Sequence, residues 1–84
     1  MKKLGEMLEN QIKEIVYIKL LDDGTPVWRP TIGVRLENGI YKIQKTENYD
    51  SLDEKWEFKP GSVVRCKFIN ISGESCLTAT EELN

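Results

Sequence analysis

The sequence predicts a small, mainly β domain in which five short antiparallel strands close into a barrel behind one short helix. Three observations carry this. Runs rich in β-branched and aromatic residues recur at short intervals from residue 14 to residue 80. Turn-forming groups separate them: Asp22-Asp23-Gly24-Thr25, Asn38-Gly39, Lys59-Pro60-Gly61-Ser62 and Asn70-Ile71-Ser72-Gly73. Before the first run, Leu4, Met7, Leu8 and Ile12 make an apolar stripe at helical spacing. The 84 residues are enough for one domain with one modest core, the helical segment within 1–12 and the strands within 14–80.

Taken in order, residues 3–12 fit one helix, although Gly5 and the lack of a cap weaken it. EIVYIKLL, residues 14–21, reads as a strand with Val16, Ile18 and Leu20 on one face and Ile15, Tyr17 and Leu21 near the other. Apolar residues on both faces predict a strand covered on both sides. Pro30 cannot donate to a ladder, so Val27–Pro30 reads as an edge or bend, with the clear strand beginning after it.

Asn38-Gly39 within VRLENGIYKI predicts a type I′ hairpin. In that register Glu37 faces Ile40, Leu36 faces Tyr41 and Val34 faces Ile43, while Arg35 and Lys42 oppose each other on the other face. Residues 46–55 read as an acidic loop and 56–58 as a short strand. Lys59–Ser62 has Pro and Gly in type II order. SVVRCKFIN and ESCLTAT read as the last two strands. Cys66 and Cys76, flanking the final turn, are expected nearly opposite each other as two small apolar residues with reduced thiols. Five short, strongly curved strands leave little exposed edge when they close. An SH3-like barrel is the expected architecture and an OB-type barrel the alternative.

Composition narrows the function. Charged residues are 31% of the chain and apolar ones 39%, as in an ordinary globular domain, and the formal net charge is only −2, too small to imply a nucleic-acid or membrane partner. The charge is uneven. TENYDSLDEKWE, residues 46–57, holds five acids against one lysine, which leaves eleven cations against nine acids elsewhere. No apolar run reaches the roughly 20 residues of a membrane span, and the Lys pair at the start has no apolar stretch after it, so a cytoplasmic protein is expected. There is no His. The commonest general base and zinc ligand are therefore missing, and two Cys alone cannot complete a zinc site. With no nucleophile–base pair, no glycine-rich phosphate cradle and no calcium-loop pattern, neither catalysis, a cofactor nor a metal is expected.

Several residues are candidates for partner binding, each with a structural reading beside the functional one. Trp28 and Trp56 lie at strand edges beside charge. They can form a ligand groove or plug the ends of a small core. Arg29, Arg35, Lys42 and Lys45 can present a basic face to a nucleic-acid strand, stay solvated, or pair with the acidic loop. Within that loop Tyr49, flanked by Asn48 and Asp50, is the natural anchor for a basic protein partner, with Asp50 a candidate contact beside it.

Val27-Trp28-Arg29-Pro30, then Asn38-Gly39-Ile40-Tyr41, then Trp56-Glu57-Phe58 and Pro60–Cys66, resemble a group of small, mostly uncharacterised bacterial proteins. These share a V-W-R-P element and a W-E-F-x-P-G-x-V-V-R-C element. The resemblance spans roughly residues 14–80. It implies a free-standing SH3-like barrel in a bacterial cytoplasm and carries over no functional residues. The paired Trp-Arg-Pro and Val-Arg-Cys elements imply set positions for Arg29 and Arg65, which a guanidinium stacked on a Trp ring would explain. The leading expectation is a non-catalytic protein-interaction module of unknown partner, with an immunity or inhibitor protein as its specific form. A nucleic-acid-binding small barrel is the alternative.

Overall fold

The computed structural model describes residues 11–21, 27–46, 49 and 54–83. They form six strands: β1 (Lys13–Leu21), β2 (Trp28–Glu37), β3 (Ile40–Ile43), β4 (Lys55–Trp56), β5 (Val63–Ile71) and β6 (Glu74–Glu82). Five of these make a ring. β1 pairs with β2, β2 with β3, β3 with β5 and β5 with β6, all antiparallel. A meander alternates direction at each step, so its first and fifth strands run the same way. The ring therefore closes in parallel, through Tyr17 opposite Thr78. β4 adds two residues to the end of β1, with Leu20 opposite Trp56.

Alternation along each strand sends one face into the ring. Val16, Ile18 and Leu20 from β1 meet Tyr41, Ile43, Val64, Cys66, Leu77 and Ala79, and Trp56 and Phe58 close one end. Val16, Ile18 and Val64 are fully buried, each contributing about 1.5–3 kcal/mol. Buried Thr31 donates its hydroxyl to Val16 O at 2.7 Å, so a polar residue fits inside without an orphaned group.

β1, β5 and β6 follow the expected strands closely. Lys59–Ser62 forms the expected turn: Ser62 N–H donates to Lys59 O at 3.1 Å, and Gly61 takes φ 92° in the position a type II turn reserves for glycine. The turn Asp22–Thr25 lies outside the described residues. So does the helix expected over 3–12, apart from Gln11 and Ile12. Those two are not helical, and Ile12 O accepts the N–H of Arg35 at 2.8 Å, which extends the β1–β2 ladder.

Other expectations are corrected. β2 starts at Trp28, before Pro30, not after it. Arg35 N–H points to the β1 side and Ile32 O to the β3 side. By alternation the hydrogen that Pro30 lacks would point to the β3 side, where no strand pairs with Trp28–Thr31 among the described residues. Proline costs no ladder bond there.

The Asn38-Gly39 hairpin is not type I′, since Gly39 has φ 82° but Asn38 is not among the residues of positive φ. Leu36 is bulged out. Glu37 opposes Ile40 as expected, but Arg35 then opposes Tyr41 and Val34 opposes Lys42. The extra residue shifts the register by one, separates Arg35 from Lys42 and leaves Leu36 51% exposed.

The far side of β1 is not covered as expected: Ile15 is 49% and Leu21 44% exposed. β4 is Lys55–Trp56, and Phe58 is buried without being in a strand. Cys66 opposes Ala79 and Cys76 opposes Ile69, so the two free thiols sit three pairs apart. The hairpin is centred between Ser72 and Gly73, not on Ile71.

Candidate partner-binding surfaces

One end of the ring is closed by the residues around Glu54. Arg29 projects there from the start of β2, and Trp56 from β4. The Glu54 carboxylate accepts from Arg29 through both Nε, at 3.2 Å, and Nη2, and from Trp56 Nε1 at 2.9 Å. These bonds, Trp56 first and Arg29 next, hold its pKa below the usual carboxylate range. The Tyr49 ring meets the buried Trp56 ring edge-on, with centroids 4.7 Å apart and planes at 69°. Two shallow clefts flank the cluster. One, of about 310 Å³, lies between Arg29, Pro30, Thr46 and Glu54. The other, of about 230 Å³, is lined by Leu21, Tyr49, Lys55, Trp56 and Lys59 among others.

The candidates are thus dispersed. Arg29, Tyr49 and Trp56 come together, but their polar and aromatic groups satisfy one another. Trp28 is half-buried at the start of β2, opposite Lys19. Arg35 lies exposed opposite Tyr41, near the other end of the ring. Exposed Arg65 donates to Glu81 Oε1 at 3.3 Å. Carboxylates rather than Trp rings therefore hold the guanidinium groups of Arg29 and Arg65. Asp50 lies outside the described residues. Of the acidic stretch, Glu54 is engaged with Arg29, which is the intramolecular pairing weighed for the basic face.

At the other end, Tyr41 donates its hydroxyl to Glu14 Oε2 at 2.8 Å. Burial first, then Glu14, pushes the phenol pKa up to about 12. Cys66 is pushed up to about 11, chiefly by burial and then by Glu14, so its thiol stays protonated and unreactive at neutral pH. Among the described residues no group of three or more His, Cys, Asp or Glu side chains could hold a metal ion, and no helix is long and apolar enough to cross a membrane.

Sequence reasoning missed a third groove, larger than the two clefts beside Glu54. It lies beside the β2–β3 hairpin, has a volume of about 760 Å³, and is lined by Val34, Leu36, Lys42, Lys45, Pro60 and Gly61 among others. Val34 is buried yet stands outside the central core cluster, on the outer face of β2. No described lining residue is acidic. The signal was present in the Val34–Leu36 alternation with Lys42, but only a bulge at Leu36 brings Val34 opposite Lys42. Comparison of the chain with protein-family models, curated proteins and solved structures finds no match to any of them.

Proposed function

We propose that the chain is a non-catalytic protein-interaction module on an SH3-like barrel, of the immunity or inhibitor kind. The meander supports the SH3-like reading over an OB-type barrel, which is a Greek key. The observation that carries the functional reading is the groove beside β2 and β3. It combines exposed Leu36, beside buried Val34, with Lys42 and Lys45 and no described acid. That chemistry fits a partner segment bearing apolar and acidic side chains, and charge of one sign steers such encounters. A basic partner held by the acidic residues of 46–57 is the other form of this reading, and the engagement of Glu54 with Arg29 weighs against it.

Nucleic-acid binding is the second reading. The exposure of Lys42 and Lys45 favours it, although Arg35, opposite Tyr41, lies on the other face from Lys42. Against it, Arg29 is paired and Trp56 is buried, which removes a stacking platform.

Affinity capture from the native host lysate, with crosslinking and mass spectrometry at low and moderate salt, separates these readings. The interaction module predicts one protein at near-equal stoichiometry, crosslinked through Lys42 or Lys45. A partner bound through 46–57 would be lost on neutralising Glu47, Asp50, Asp53 and Glu54. Recovery of nucleic acid that vanishes with salt would replace the first reading with the second.

A further inference from the structure

β5 has two neighbours only over its first part. β3 pairs with Val63–Arg65, and Gly39 O accepts the N–H of Cys66 at 2.8 Å. From Lys67 to Ile71 the only strand beside it among the described residues is β6. The two-residue turn at Ser72-Gly73 makes Ile71 and Glu74 the hydrogen-bonded pair that closes the hairpin. Lys67, Ile69 and Ile71 therefore direct their main-chain groups to β6. Phe68 and Asn70 direct theirs outward, in the phase by which Cys66 reaches Gly39. Phe68 is 70% exposed, the most exposed large apolar side chain among the described residues. Edge strands are usually blunted by charge, proline or a bulge. Here the only charge is Lys67, and the bulge, between Arg65 and Cys66, precedes the open stretch.

We propose that this edge, Lys67–Ile71, pairs antiparallel with the same edge of a second copy of the chain, about a two-fold axis at Ile69. An antiparallel edge is complementary to itself under such an axis, and the contact closes on two copies. The position of the Asn38-Gly39 turn selects the register. An axis at Phe68 would put Asn70 of the second copy opposite Cys66, where Gly39 already sits. With the axis at Ile69, Phe68 faces Asn70 of the second copy, and the outward main-chain groups of both are satisfied. The two Phe68 rings lie diagonally on one face, within aromatic reach. Lys67 faces Ile71 of the second copy, with that copy's Glu74 one strand further on the same face, so unlike charges approach twice. The surface is separate from the groove beside β2 and β3. Five residues per side fall short of the roughly 1,200 Å² of a stable interface, so the dimer is weak and exchanges rapidly.

The test is sedimentation velocity with amide hydrogen exchange on the full chain, from roughly 10 μM to roughly 1 mM. The expected result is a sedimentation coefficient that rises with concentration, together with growing protection at Phe68 and Asn70. Asn70→Pro removes an outward N–H that makes no β6 ladder bond, together with the Asn70 Oδ1 that accepts the N–H of Gly73 in the turn. Phe68→Lys changes an exposed side chain and brings like charges together. Each should weaken association about tenfold or more with an unchanged circular dichroism spectrum, equivalent to about 1.4 kcal/mol. If Asn70→Pro disturbs the hairpin, Phe68→Lys alone decides. A wild type that stays monomeric throughout overturns the proposal. So does a dimer that Phe68→Lys leaves unchanged, or an edge that takes up only an unrelated extended peptide.

Discussion

Glu54 spends both carboxylate oxygens within the chain, on Arg29 and on the Trp56 indole. Its depressed pKa fixes the sign of a pH effect. A carboxylate below its ordinary value of 4.5 stabilises the fold above that pH, and the contribution is lost as pH falls through the lower folded-state value. Glu54→Gln should therefore lower stability near neutrality by about 1 kcal/mol, because the partners are partly exposed. Its stability should also fall less steeply than that of the wild type below pH 4.5. Chemical denaturation across pH checks this, and parallel curves would contradict it. The cysteines give a second prediction. A thiol-reactive dye should label half-buried Cys76 in the folded protein and buried Cys66 only on unfolding. Folded Cys76→Ser that labels as fast as the wild type would contradict it.

Among the elements, the long strands β1 and β5 were legible because their apolar residues alternate at the period of a sheet. Turn chemistry was legible less evenly. Pro60-Gly61 fixes its own turn. Asn38-Gly39, the stronger type I′ signal, does not make that turn, because a bulge at Leu36 absorbs the hairpin's twist. The type I′ signs of φ appear instead at Ser72-Gly73, with φ 53° and 89°. There the Asn70 side chain also accepts the N–H of Gly73 at 3.0 Å. A bulge depends on what packs across the ring, and composition around a turn does not encode that. Gly33 shows the same dependence. A Cβ there would lie 2.6 Å from Val16 Cγ2 and 3.3 Å from Tyr41 Cβ, so β1 and β3 leave room for hydrogen only. Gly33→Ala should destabilise the domain by about 1–3 kcal/mol through overpacking. Thermal unfolding measures this, and an unchanged midpoint would refute the close approach.

At the scale of the molecule, the ring separates structure from accessible surface. The Trp56 end resolves one of the open alternatives: that aromatic plugs the core, and the arginine beside it is neutralised by the acidic segment. An Arg and a Trp read the same in sequence whether they meet a ligand or an acid of their own chain, and only the placement of Glu54 decides. The groove beside β2 and β3 was hidden for the related reason that one bulged residue determines which side chains line it. The proposed partner segment would occupy that groove. The most direct test is hydrogen–deuterium exchange of the free chain against the captured complex. It should show new protection over residues 34–45 and 60–61, and a Lys42→Glu/Lys45→Glu variant should bind at least tenfold more weakly. New protection confined to Trp28–Arg29 and Tyr49–Trp56, with binding indifferent to the two lysines, would contradict it.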